Sequence, residues 1–194
     1  MTATEVGIIY GLITVFGSMI GVICGGIIGD KLRESYVNGK LYLIMASAIL
    51  TGITAIGFIH SENLVASFSW KFVYHIASTA WLGCAASTVT ELVLPRLRAV
   101  ASAFFILMLS MIGLALGPYL TGMVSDIYIN SGVLPGPALK NAMTMTLVVL
   151  VLPFGMLVVA CKYLKNDEAE IYDKARSMGE EIKSSFVSLL VNFF

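Results

Sequence analysis

Charge is what this chain has least of. Lys, Arg, Asp and Glu make up 12% of its 194 residues, against roughly 25% in an ordinary soluble domain. Hydrophobic residues make up 58%, and the mean hydropathy is +0.89. A chain of this size cannot fold so much apolar surface away from water, so it belongs in a bilayer. Its 12 basic and 12 acidic residues cancel. No basic footprint is left for nucleic acid, which is set aside as a partner. Cysteine is sparse too: Cys24, Cys84 and Cys161 stand far apart, with no CxxC or Cys/His spacing. That supports neither a disulfide framework nor a metal site. There is no Ser/His/Asp arrangement, no pair of carboxylates placed in a cleft and no phosphate-cradling loop after a strand, so neither an enzyme nor a cofactor is expected. The opening MTATEVGIIYG lacks the positive stretch of a secretory signal. The apolar run that follows is also too long for a signal core, and reads as a mature span.

What the chain has instead is long apolar runs. About 20 apolar residues cross some 30 Å of hydrocarbon, and five segments meet that length. They run over about 6–29, 41–59, 64–94, 98–128 and 141–161. The expected fold is therefore all-α, a polytopic transmembrane helix bundle occupying 1–163. Residues 164–194 follow as an amphipathic tail that ends in a short apolar stretch, Phe186 to Phe194. Nine residues do not span, so the tail is expected to lie at the membrane interface. Lys31, Arg33 and Lys40 fall after the first span, Arg96 and Arg98 after the third, and Lys162 and Lys165 after the fifth. The positive-inside rule then puts the N-terminus outside and the C-terminus in the cytoplasm.

Glycine recurs within the first run, at Gly17, Gly21, Gly25 and Gly29. Residues four apart share a helix face, and a smooth face lets two helices approach closely in lipid. That approach offsets the roughly 1 kcal/mol each mid-helix glycine costs. Gly7 and Gly11 form a second pair. The run ends on Gly25, Gly26, Gly29, Asp30, Lys31 and Arg33. Asp30 there is either one of a solvated cluster of charges or a carboxylate paired across to a neighbouring helix.

The stretch GGIIGDKLR resembles the cytoplasmic loop signature of the major facilitator superfamily, glycine–x–x–x–aspartate followed by basic residues. Leu32-Arg33 stands where glycine-arginine is usual, which suits the degenerate copy in the second half of that fold. TVTELVLPRLRAVASAFFILMLSMIGLALGPYLTGMVSD resembles the superfamily's tenth and eleventh helices, most of all in its Spinster-like transporters. Glu91, Pro95, Arg96 and Arg98 fill the turn, and Gly113, Gly117, Pro118 and Gly122 form the glycine-proline pattern. The resemblance implies a partial major facilitator fold holding helices eight to twelve, with the N-terminal half of the transporter missing. It implies alternating-access transport of a small organic or lipid-like solute such as a lysolipid, sphingoid lipid or organic anion, with a proton as candidate coupling ion. It also implies a gating cluster of Asp30, Lys31, Glu91, Arg96 and Arg98. A short five-span protein that packs against or regulates a partner is the alternative.

Several other residues stand out. Lys71 and His75 are four apart on one face of the third run. The lysine is expected to snorkel to the interface, or both residues to face a cavity. Trp70 reads as an interfacial belt residue, and the deeper Trp81 as a candidate cavity-lining one. Pro118 is expected to kink its helix and is a candidate hinge, whereas Pro153 reads as a structural bend. Asp126 reads as a helix-end charge. Membrane lipid is the expected surrounding partner.

Overall fold

A computed structural model describes residues 2–36 and 38–177 of the chain; the apolar end Phe186 to Phe194 lies outside the described residues. Those residues form helices joined by short turns, with no strand among them. Helix α1 (Ala3–Ser35) begins at a capping box. The Thr2 hydroxyl accepts from the Glu5 amide at 3.3 Å, and the Thr2 amide donates to the Glu5 carboxylate at 2.8 Å. Two of the otherwise unpaired amides at the helix start are thereby satisfied. Asp30, Lys31 and Arg33 end the apolar run but not the helix, which continues through them to Ser35.

Helix α2 (Gly39–Ile59) follows, then α3 (Leu64–Glu91), capped by the Asn63 side chain on the Val65 amide at 3.1 Å. A 3₁₀ turn at Pro95–Leu97 leads into α4 (Arg98–Met108), a π-helical stretch over Leu109–Leu116 and α5 (Gly117–Asn130), which together make one rod. A turn with Gly132 at φ +88 reverses the chain. The next rod is α6 (Pro135–Thr146), a 3₁₀ turn at Leu147–Leu150 and α7 (Val151–Ser177). Among the described residues, four helical stretches are long and apolar enough to cross a membrane: Thr4–Ser35, Gly39–Ile59, Pro95–Asn130 and Pro135–Leu164.

Helix α3 has the length of a span but is more polar than those four. It packs along both α1 and α2, and from Tyr74 to Glu91 none of its residues is exposed. A helix shielded by its neighbours does not have to match lipid all round. The rod from Pro95 to Asn130 is the opposite case, apolar and almost without buried residues. It meets α3 at one end and α6 along its second half.

Both long rods are irregular just before a proline. Proline lacks an amide hydrogen, and its ring crowds the carbonyl four residues back. Pro118 is preceded by the π stretch and Pro153 by the 3₁₀ turn. In each case the backbone is re-wound by widening or tightening one segment.

Candidate functional site

Four glycines decide how α1 meets α3. Gly17, Gly21, Gly25 and Gly29 are all buried. A Cβ on Gly25 would overlap the Ala80 carbonyl, one on Gly21 the Thr79 hydroxyl, and one on Gly29 the Cys84 sulfur. At Gly17 it would lie 2.9 Å from the His75 Cβ. The backbones come so close that the Cys84 thiol donates to the Gly25 carbonyl at 3.4 Å, and the Thr79 hydroxyl lies 3.3 Å from the Ser18 carbonyl. Toward its N-terminus the same face of α1 continues through Thr14 and Tyr10, which meet His75 and Ser67. Gly7 and Gly11 are exposed with no atom near enough to touch a Cβ. They do not form the second packing pair the spacing suggests, because Tyr10 and Thr14 take that face and α3 begins only at Leu64.

The glycine face brings two polar clusters into being, one at each end of the α1–α2–α3 unit. At the first end α1 finishes, α2 starts and α3 finishes. Lys40, on the first turn of α2, places its ammonium 2.5 Å from the Glu91 carboxylate and 3.9 Å from that of Asp30. The Lys40 side chain is 8% exposed, Glu91 39% and Asp30 76%. Three helices are therefore tied by one cation and two anions, and the cation is the buried member. Gly39 lets α2 start there, since a Cβ would overlap the Leu32 carbonyl. The adjacent Asn38 donates from Nδ2 to the Cys161 carbonyl at 2.8 Å, joining α7 to the same end. Arg33 is buried and engaged, and Arg96 is engaged from an exposed position. Lys31 and Arg98 are exposed.

The centre of this cluster was not among the residues that sequence reasoning selected. Lys40 reads as one more positive charge in a short loop. Its one signal is position: a lysine directly behind a glycine at a helix start, where the ammonium can turn back across the preceding helix end.

At the second end, Lys71 holds its ammonium over two rings, 4.8 Å from the Tyr10 centroid and 5.1 Å from that of Phe58. Tyr10 also meets Phe68 edge-on at 5.3 Å. Again α1, α2 and α3 each contribute. His75 Nε2 lies 3.0 Å from the Thr14 hydroxyl, so Lys71 and His75 do share a face, turned toward α1. Trp70 lies across Gly57, where a Cβ would stand 2.7 Å from the ring. It is 41% exposed.

Midway between the two ends, Trp81 lines a half-enclosed cavity of about 500 Å³ between α2, α3 and α7. Gly26, Gly113, Gly117 and Gly122 border open space, and Pro118 lies with Asp126 on a shallow surface of α5. The charged cluster and the glycine-proline pattern are thus on separate parts of the molecule.

No family profile matches the chain. An MFS-type efflux pump from Mycolicibacterium smegmatis (strain ATCC 700084 / mc(2)155) is similar to it, 29% identical over 127 residues. Those residues are 65% of this chain and 29% of that protein, so the match spans less than a third of the relative's length. With four apolar rods of membrane length among the described residues, this likeness supports a multi-pass membrane protein.

Proposed function

We propose that the chain is the C-terminal part of a Spinster-like secondary transporter, which moves a small organic or lipid-like solute by alternating access. The observation that carries this reading is the Asp30–Lys40–Glu91 cluster. Alternating access requires groups of helices to move as units about a site near the bilayer midplane. Three helices pinned at both ends, with α1 and α3 packed backbone to backbone between them, suit such a unit. The cluster stabilises one of the two end states, with Lys31, Arg33, Arg96 and Arg98 supplying the surrounding positive charge on the cytoplasmic side. The N-terminus then lies outside and the C-terminus in the cytoplasm. The other half of the binding cavity comes from the N-terminal half of the transporter, and Lys71 and His75 are candidates for contact with solute or coupling proton.

The test is uptake of a fluorescent lysophosphatidylcholine into vesicles holding the complete transporter with Asp30→Asn. Cycling should fall while membrane abundance holds. Unchanged uptake at equal abundance would remove Asp30 from the mechanism. Immunoblotting of the native membrane with an antibody to the tail addresses the rival five-span reading. A band at twice 20.8 kDa or above fits a full transporter, and one at 20.8 kDa fits a short partner protein.

A further inference from the structure

We infer that the cavity between α2, α3 and α7 is a binding site for one hydrocarbon chain of a membrane lipid, separate from any solute site formed between two transporter halves. Three observations carry this. First, its depth: Ala48 and Thr51 lie midway along α2, Ser78 and Trp81 midway along α3, and Pro153 and Met156 near the middle of the α6–α7 rod. That level of a bilayer holds acyl chains and almost nothing else. Second, its size: about 500 Å³ is within the range of ligand sites, roughly 300–1,000 Å³, and far above the voids a packed interior leaves empty.

Third, its walls have little to offer a polar occupant. The Thr51 hydroxyl already donates to the Ser47 carbonyl at 2.7 Å, and that of Ser78 to the His75 carbonyl at 3.3 Å. Apart from the Trp81 indole the lining is otherwise aliphatic. Water needs two to four polar partners to stay in such a place, and a charged or hydroxylated solute would lose its hydration without replacement. A hydrocarbon chain loses nothing. Pro153 contributes to the shape as well, since the 3₁₀ turn before it re-aims the first turn of α7 that forms one wall.

The site is testable through Trp81. With Trp70→Phe in the whole chain, Trp81 is the one remaining tryptophan. The protein is reconstituted into vesicles of phosphatidylcholine, either plain or brominated at mid-chain. Bromine should quench Trp81, and filling the cavity with Ala160→Leu, or separately with Ala48→Leu, should at least halve that quenching while helical content holds. Equal quenching in filled and unfilled proteins would mean that Trp81 meets only bulk lipid and would overturn the proposal. So would quenching by aqueous acrylamide in place of bromine, which would mean a water-filled cavity. A phosphatidylcholine with a photoactivatable group at mid-chain gives a second readout that does not depend on a variant. Its adducts should gather on Trp81 and Met156, and an even spread over the exposed face of α4 would count against the site.

Discussion

At the scale of single residues, α1 offers a matched pair. Gly25 and Gly26 are neighbours on one helix, yet Gly25 faces the Ala80 carbonyl and Gly26 faces open space. Gly25→Ala should therefore lower stability by about 1–3 kcal/mol through overpacking against backbone that cannot give way. Gly26→Ala should raise it by up to about 1 kcal/mol, from helix propensity. Unfolding in mixed micelles with increasing dodecyl sulfate reads both. Sequence spacing alone already marks 17, 21, 25 and 29 as one face. It does not say which glycines meet a neighbour, because Gly7 and Gly11 repeat the spacing on another face of α1, with nothing near enough to touch a Cβ, while Tyr10 and Thr14 meet α3. Lys40 is the second residue-scale lesson. Its distances to Glu91 and Asp30, 2.5 and 3.9 Å, predict unequal couplings. A double-mutant cycle of Lys40→Met with Glu91→Gln should show a coupling of about 1 kcal/mol, since one partner is over a third exposed. The cycle with Asp30→Asn should show clearly less.

At the scale of elements, spans are legible from hydropathy, but their ends and irregularities are not. The expected first span stops at Gly29, whereas α1 runs to Ser35, because a helix passes from lipid to interface without breaking. The expected kink at Pro118 is a re-winding of the turns before it, from Leu109 to Leu116. Pro118→Ala restores the missing amide, so the preceding segment should return to α-helix. Amide exchange across 109–118 should slow, and a mere increase in overall stability without that local change would not bear out the account. Farther along, α7 carries Glu170 and Lys174 one turn apart at 2.6 Å. The lysine's hydrogen bond and charge hold the Glu170 carboxyl below the usual range. A carboxyl pKa depressed in the folded state stabilises the helix above the unfolded value, and the effect is lost as pH falls through the folded one. The helicity of this last stretch of α7 should accordingly decline as the solution is acidified below the ordinary glutamate range. Lys174→Met should move the Glu170 titration, followed by carbon NMR, upward.

At the scale of the whole molecule, the chain divides by how it is held. Helices α1, α2 and α3 are packed closely and joined at both ends, whereas the rod from Pro95 to Asn130 shows its apolar side chains to the surroundings. Composition foretells the membrane, and the order of apolar runs foretells the sequence of rods. Neither foretells that a membrane-length helix less apolar than the four candidate spans is the innermost, because α3 draws its shielding from α1 and α2 and not from its own composition. The unequal chemistry of the two ends has a consequence of its own. One end is an ion cluster with two water-facing carboxylates. The other is an ammonium over aromatic rings, with no carboxylate beside Lys71 among the described contacts. Mobile ions act on the Asp30 carboxylate, 76% exposed and 3.9 Å from the lysine, far more than on the 2.5 Å Lys40–Glu91 pair, whose lysine is buried and whose separation is well inside the Debye length of about 8 Å at physiological strength; at the second end the rings carry no net charge to screen. Added salt therefore reaches this bundle at one thread, loosening the Asp30 side of the Lys40 end while the Lys40–Glu91 tie and the Tyr10 end keep their grip.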